Sequence, residues 1–278
     1  MKTRMKRSLM VEVLAFAMVI CAFANVMPTS AATLTAKQYL NKMEKASVRV
    51  KSYESTTTIV QNMRVSGAAT NTKTVQKAIS FSKPAKSKVV ATTTMKGSGI
   101  NSKQKAISYA KKNAGGKVVA YVSIDGKNYD KMDAGELSDT LAAMDTGMYS
   151  DEKIVKDNVK VNNVNTVQIS AKIAGEDLGK SMEDVFAAFG IMDEDAGIDY
   201  SKLAPVKVTV WVDKKTYLPV KVTTDMTKFM NDYMTIFMQA TGLAELGGTG
   251  LTYSKAVSTT TYTNYNKATD FKLPKACK

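Results

Sequence analysis

The chain has 278 residues, of which 44% are hydrophobic and 23% charged, a balance typical of a globular protein. It has no histidine and two cysteines, which excludes His-dependent triads and zinc sites as well as a disulfide framework. The formal net charge is +14, from 39 Lys and Arg against 25 Asp and Glu. This composition argues against most familiar enzymes, and we expect no catalytic site.

The N-terminus has the organisation of a secretory signal peptide. Basic residues precede the apolar run Val13–Ala24, which is followed by small residues that end at Ala31 and Ala32. The run is shorter than the roughly 20 residues that a membrane-spanning helix needs. We therefore expect residues 1–31 to be cleaved from an exported protein near Ala31 or Ala32, with an uncleaved anchor as the alternative. The residues before Cys21 are large, so we expect no lipid attachment there.

Residues 32–278 contain no Pro- or Gly-rich linker and no repeat, and we expect one domain. Apolar spacing predicts a first helix over Ala36–Val50, capped by Thr33 or Thr35. Period-two alternation rich in Thr and Val then predicts strands. These strands are Tyr53–Val65, Thr72–Ser82, Lys88–Lys96, Lys117–Ile124, Lys127–Met132, Ile154–Val161, Val164–Ile173, Val206–Asp213, Tyr217–Thr224 and Leu251–Thr263.

Turn signals join these strands as hairpins. Asp125-Gly126 and Asn162-Asn163 are dipeptides that favour two-residue turns with positive φ. The remaining helices are predicted over Glu136–Asp145, Glu176–Phe189 and Asp225–Ala240. Because hairpin-connected strands outnumber helices, we expect an α+β fold in which helices pack on one face of an antiparallel sheet.

The last of these helices carries the most distinctive apolar pattern. Methionines and aromatic residues recur every four positions and form one wide stripe. The stripe consists of Met226, Phe229, Met230, Tyr233, Met234, Phe237 and Met238. One interpretation is core packing; the other is the wall of a pocket for an apolar ligand, since methionine adapts to varied apolar surfaces. We name these residues as the candidate ligand-binding site.

Other chemistries find little support. The acidic run Asp193–Asp195 fails the EF-hand pattern, so we expect no metal site, and no phosphate-binding glycine motif occurs, so we expect no cofactor. Only four of the cations are arginines, and the lysines lack interleaved aromatic residues. We therefore expect no nucleic-acid partner.

The hairpin near residue 215 carries a family resemblance. The segment Val210–Lys221 reads VWVDKKTYLPVK and resembles the W-[IV]-D-x-x-T-x-x-P-x-[KR] segment of LolA-like proteins, a superfamily that includes the LppX/LprG-type lipoprotein carriers. The ending Tyr262–Pro274 is similar to the closing strand and terminal proline of that superfamily. The chain looks closest to an uncharacterised secreted branch.

The resemblance implies a strongly curved antiparallel sheet, a half-barrel, with helices packed on its concave face. In the carriers, the apolar space between sheet and helices holds acyl chains. The resemblance therefore implies a non-enzymatic protein that binds a lipid or another acyl-bearing ligand. It transfers no catalytic residue and no individual lipid contact.

The charge is unevenly distributed along the chain. Residues 32–124 hold seventeen cations and only two acids, Glu44 and Glu54, whereas residues 125–199 hold seven cations and seventeen acids. Because sequence neighbours in a meander are spatial neighbours, we expect a basic N-terminal lobe. A second hypothesis follows, in which the protein is a structural or sensory envelope module that docks on an anionic membrane or cell-wall surface.

Overall fold

The computed structural model describes residues 34–65, 67–97, 99–113, 118–133, 148–180, 199–240 and 251–277. The predicted signal peptide, the acidic run Asp193–Asp195 and the predicted helix Glu136–Asp145 lie outside these ranges. The predicted helix Glu176–Phe189 is described only at its start, where residues 175–180 are helical.

The predicted elements that lie in the described ranges occur in the expected order, with most boundaries within a few residues of those expected. The helices with described bounds are α1 (Ala36–Val48) and α2 (Thr227–Ala240). The strands are β1 (Ser52–Val65), β2 (Ala68–Ser82), β3 (Ala85–Gly97), β4 (Ile100–Lys112), β5 (Val118–Ser123), β6 (Asp130–Asp133), β7 (Tyr149–Val161), β8 (Val164–Ile173), β9 (Val206–Asp213), β10 (Pro219–Asp225) and β11 (Thr252–Thr263).

All the strands belong to one open sheet of 11 strands, in the order β6-β5-β4-β3-β2-β1-β11-β10-β9-β8-β7. Every neighbouring pair is antiparallel. The last strand, β11, inserts between β1 and β10, so it joins the N-terminal and C-terminal halves of the sheet. The prediction of an antiparallel, hairpin-connected sheet is therefore confirmed.

The register separates the sheet into two faces, because side chains alternate along each strand. One row of cross-strand partners on the face that we call the inner face is entirely buried. Its members are Ile169, Val210, Val222, Thr260, Thr57, Gln76, Ala91 and Ala106. The row changes from branched aliphatic residues on β8–β10 to hydroxyl and amide residues on β11, β1 and β2, and then to alanine.

Both helices contribute to one hydrophobic core with inner-face residues of the strands. At the start of α1, the Thr35 hydroxyl accepts a hydrogen bond from the N–H of Gln38, and Gln38 Oε1 accepts one from the N–H of Thr35, a capping box that fixes where the helix begins. Leu40 and Met43 on this helix are fully buried against the sheet. The helices thus cover the aliphatic end of the inner face.

Two local predictions need correction. Asp125-Gly126 is not a two-residue turn, because only Gly126 has a positive φ and the strands close across a longer loop. The Asp125 carboxylate instead accepts hydrogen bonds from the N–H groups of Lys127 and Asn128. In addition, β4 is a strand that the alternation did not reveal. The Asn162-Asn163 turn is confirmed, with φ of 49° and 64°.

Candidate ligand-binding face

The apolar stripe of α2 is divided by the fold into two groups. Met226, Phe229, Met230 and Tyr233 lie in the hydrophobic core, with exposed fractions of 2%, 1%, 6% and 3%. The remaining residues of the stripe, in the C-terminal half of the helix, are half-buried. They are Met234, Phe237 and Met238.

Hydrogen bonds to β11 fix how α2 lies on the sheet. The Asn231 side chain donates to the carbonyl of Tyr253 and accepts from its N–H, at 2.9 and 2.7 Å. The Ala256 N–H donates to the Thr227 hydroxyl, and the Ala256 carbonyl accepts from the N–H of Met226. These bonds take the place of pairing with β10 at the start of β11, which there pairs only with β1, so the sheet determines the orientation of the stripe.

Aromatic stacking continues along the helix from the core to the half-buried end. The ring centroids of Phe229 and Tyr233 are 6.1 Å apart and those of Tyr233 and Phe237 are 6.2 Å apart, with interplanar angles of 20° and 12°. Stacking on Tyr233 orients Phe237, whose half-buried ring adds apolar surface beside the core.

The inner face next to α2 is polar but uncharged. Hydroxyl pairs bridge its strands: Thr57 contacts Thr260 at 2.9 Å, and Thr74 contacts Thr93 at 3.0 Å. Thr72 Oγ1 and Ser258 Oγ are buried and have no hydrogen-bond partner among the described residues. An unpaired buried hydroxyl costs about 1–3 kcal/mol, so these two groups would gain from a partner supplied by a ligand.

The strand pairing places these two hydroxyls close to the part of β11 that is bonded to α2. Thr72 pairs with Gln61, and Gln61 pairs with Ala256, the residue bonded to the start of α2. Ser258 lies two positions further along β11, on the same face. The inner face therefore brings unsatisfied neutral polar groups near a helix that carries half-buried apolar side chains.

A separate cleft of about 250 Å³ lies at the opposite end of the β9–β10 hairpin. Its lining comes from three distant segments and contains none of the candidate residues of α2. The lining residues are Asn162, Val164, Asp213, Thr216, Leu218, Val220, Tyr262, Thr263, Asn264 and Tyr265. The volume is below the roughly 300–1,000 Å³ typical of small-molecule sites.

The β9–β10 hairpin, which carries the segment Val210–Lys221 that resembles LolA-like proteins, has a structural role at this cleft. Asp213 accepts from the N–H of Lys215 and from the Thr216 hydroxyl, and these bonds shape the turn. Pro219 lies at an irregularity in the pairing of β9 and β10, as expected for a proline inside a sheet. On the outer face, Lys221 Nζ lies 4.5 Å from the ring centroid of Trp211. The cleft residues were not predicted, although this motif pointed to their location.

Within the described ranges, no three residues of the metal-ligating types His, Cys, Asp and Glu are grouped as a metal site. Nor does any described helix have the length and apolarity to cross a membrane.

Cys277 is fully buried beside Tyr109 and Tyr121, and burial raises the pKa of its thiol. At neutral pH the thiol is therefore protonated and a poor nucleophile.

Comparisons with known proteins identify a family but not an activity. A family model described as a family of unknown function, DUF6612, matches residues 35–278. No curated protein matches the chain significantly.

Two solved structures show weak likeness. A DUF1329 family protein from Desulfovibrio piger is 9% identical with a TM-score of 0.25, over 84% of this chain and 92% of that one. A β-barrel-like DUF1849 protein from Brucella abortus is 10% identical with a TM-score of 0.21, over 77% of this chain and 97% of that one. With scores this low, the likenesses define neither the fold nor the function of this chain.

Proposed function

The chain belongs to the DUF6612 family, whose function is unknown, and we propose from its site that it is an exported, non-enzymatic protein that binds a hydrophobic ligand. The ligand would be a lipid or another acyl-bearing molecule held between the inner face of the sheet and α2. The resemblance of Val210–Lys221 to LolA-like proteins supports this ligand class, and the signal-like N-terminus supports export.

One observation carries the proposal: the stripe of α2 extends beyond the core. Met234, Phe237 and Met238 are large and apolar, yet they are only half-buried, whereas the stripe residues on the preceding turns are buried. Contact with an acyl chain would remove this remaining apolar surface from water, at about 25 cal/mol per Å². Methionine suits such a contact because its side chain is flexible and polarizable.

The polar inner face suits the ester or amide linkage of an acyl ligand, in addition to its apolar chain. The hydroxyls of Thr72 and Ser258 can donate to an ester or amide carbonyl, and the inner-face residues around them are uncharged. A neutral linkage next to an apolar chain fits this arrangement better than a charged headgroup, which would be desolvated without an opposite charge. The small cleft beside the β9–β10 hairpin is not needed for this role.

We expect the variant Met234→Ala/Phe237→Ala/Met238→Ala to bind a fluorescent long-chain fatty acid about tenfold more weakly or worse, because apolar contact area is lost. A fluorescence titration measures the affinity of each variant, and a separate denaturant unfolding curve measures its stability. Ile154→Ala/Val155→Ala is the matched control, since it removes exposed apolar side chains from β7. Phe229→Ala is the core control, and we expect it to destabilise the protein by about 3–5 kcal/mol.

Equal affinity of the α2 variant and the wild type would contradict the placement of the ligand. No measurable binding of acyl probes by the wild type would contradict the ligand class. The loss of affinity supports the proposal only if the unfolding midpoint of the α2 variant stays near that of the wild type and the β7 control binds normally.

A further inference from the structure

The outer face of β1–β4 carries a dense set of exposed cations, which we call the basic patch. The register places them all on the face opposite the helices, because each lies out of phase with the inner-face residues of its strand. The patch consists of Arg64, Lys73, Lys77, Lys96, Lys103 and Lys105.

The cations are spaced evenly over the patch. Lys73 lies opposite Val60 and Thr94, and Lys105 lies opposite Thr92, so neutral residues separate the charges across the strands. No two cations of the patch are direct cross-strand partners, an arrangement that avoids the repulsion of like charges placed opposite each other. The result is a two-dimensional array of positive charge and not a single line.

Little negative charge offsets this array. Glu54 is the only acidic residue in β1–β4; it lies diagonally across from Lys77 on the outer face, and its carboxylate accepts hydrogen bonds from Asn264 and Thr269. The ion pairs of the described chain involve other cations, so the patch charges are not neutralised within that part of the protein. The inner-face positions of the same strands are uncharged apart from Lys112 at the end of β4.

The C-terminal tail limits the patch on one side. Phe271 packs against the rings of Phe81 and Tyr109, and Lys86 at that end is bonded to Asp270. Lys88 lies over the Tyr109 ring at 5.7 Å. The tail therefore engages the cations at one end of the outer face and leaves those of the basic patch open to solvent.

We propose that the basic patch docks the protein on the surface of a bilayer that contains anionic phospholipid. The array extends across four strands as well as along them, which matches the headgroups of a bilayer surface better than a linear polymer. Lysine ammonium groups act as mobile point charges and do not demand the bidentate geometry that arginine provides. Each cation near such a surface contributes about 1 kcal/mol at physiological salt.

The docking proposal is independent of the proposed ligand. It assigns the outer face to the membrane and leaves the inner face free to hold a ligand. Its experiment contains no acyl probe, so failure of one proposal can be distinguished from failure of the other.

Vesicle co-sedimentation tests the docking. The wild type should bind vesicles of phosphatidylcholine with phosphatidylglycerol, but not phosphatidylcholine alone, and should be released at about 1 M salt, where the Debye length is about 3 Å. Lys73→Gln/Lys77→Gln/Lys103→Gln/Lys105→Gln should lower the partition coefficient by roughly a hundredfold or more. The matched control is Lys153→Gln/Lys156→Gln/Lys160→Gln/Lys207→Gln, which removes the same charge from exposed positions on β7 and β9.

Equal losses in the two variants would overturn the proposal, because net charge and not the patch would then control binding. Absence of binding to anionic vesicles, or binding that salt does not weaken, would also overturn it. So would retention on an immobilised linear polyphosphate without vesicle binding, since that result would assign the patch to a polymer.

Discussion

At the scale of single residues, Thr72 and Ser258 are the positions at which the proposed ligand contact on the inner face can be tested. Each presents a buried hydroxyl oxygen without a partner among the described residues, and both lie on central strands close to α2. In a ligand-free protein such groups lower stability, whereas in a complex they would donate to the ligand. Stability and affinity should therefore respond in opposite directions when the hydroxyls are removed.

We expect Thr72→Val/Ser258→Ala to leave the free energy of unfolding unchanged or raise it by about 1 kcal/mol, because the unpaired hydroxyls are removed. The same variant should bind an acyl ester several-fold more weakly. Denaturant unfolding without ligand and a fluorescence titration with an acyl ester measure the two effects. Thr223→Val on the outer face is the control, and it should not change the affinity. If affinity is unchanged in the double variant, the hydroxyls do not contact the ligand.

Side-chain chemistry explains which turns were predictable at the scale of elements. Asn162 and Asn163 both adopt positive φ, as the dipeptide predicts, since asparagine tolerates this conformation. At Asp125 the carboxylate competes for backbone N–H groups and opens a longer loop. The N–H groups of Lys127 and Asn128, with the Ser123 hydroxyl, lower the pKa of the Asp125 carboxyl. That local network is not visible in the dipeptide.

The strand β4 shows why alternation fails when neither face of a strand is consistently apolar. Its outer positions carry lysines, and its inner positions carry Ser102, Gln104 and Ala106, so the apolar–polar contrast is weak. In contrast, β9 alternates buried valines with half-buried or exposed residues and was predicted with its exact bounds. Pairing with neighbouring strands, and not local hydrophobicity, determines the position of β4.

The C-terminal tail is held on β3 by a charged contact that should depend on pH. Lys86 Nζ donates to the Asp270 carboxylate and to the Phe271 carbonyl, and it lies over the Phe271 ring at 4.9 Å. The hydrogen bond from Lys86, followed by that from the Phe271 N–H, lowers the pKa of the Asp270 carboxyl. The contact therefore stabilises the folded state whenever Asp270 is ionised.

We expect Asp270→Asn to be less stable than the wild type at neutral pH and equally stable in strong acid. Because the folded pKa is depressed, the contribution is present above the ordinary carboxyl pKa near 3.9 and is lost as the pH falls through the lower folded value. Denaturant unfolding across a pH series measures this difference. Asp151→Asn, which removes a similar exposed contact between Asp151 on β7 and Lys172 on β8, gives the comparison. A difference that is constant with pH would contradict this role.

At the scale of the whole molecule, the sequence predicted the antiparallel sheet and the apolar stripe but not how the stripe divides. Whether Met230 or Met234 is core depends on which turn of α2 lies over β11, and the Asn231–Tyr253 bonds set that alignment. The cleft joins segments around Asn162, Leu218 and Tyr265, which only the strand order brings together. Periodicity within one segment cannot reveal such a site.

The two faces of the sheet have distinct chemistry. From β8 through β9, β10, β11, β1 and β2 to β3 the inner face is uncharged and changes from aliphatic to hydroxyl-bearing residues, while the outer face of β1–β4 is basic. Six of the 39 cations of the chain lie in this basic patch. This separation lets an apolar ligand and an anionic surface be contacted by opposite faces.

Native mass spectrometry of the protein purified from its producing cells tests the central claim most directly. We expect the native ion to exceed the mass of the same preparation after denaturation, and the released species to be an acyl-bearing molecule. The Met234→Ala/Phe237→Ala/Met238→Ala variant should lose this extra mass, while Ile154→Ala/Val155→Ala should keep it. Equal native and denatured masses for the wild type, together with no retention of added acyl ligand, would contradict the account.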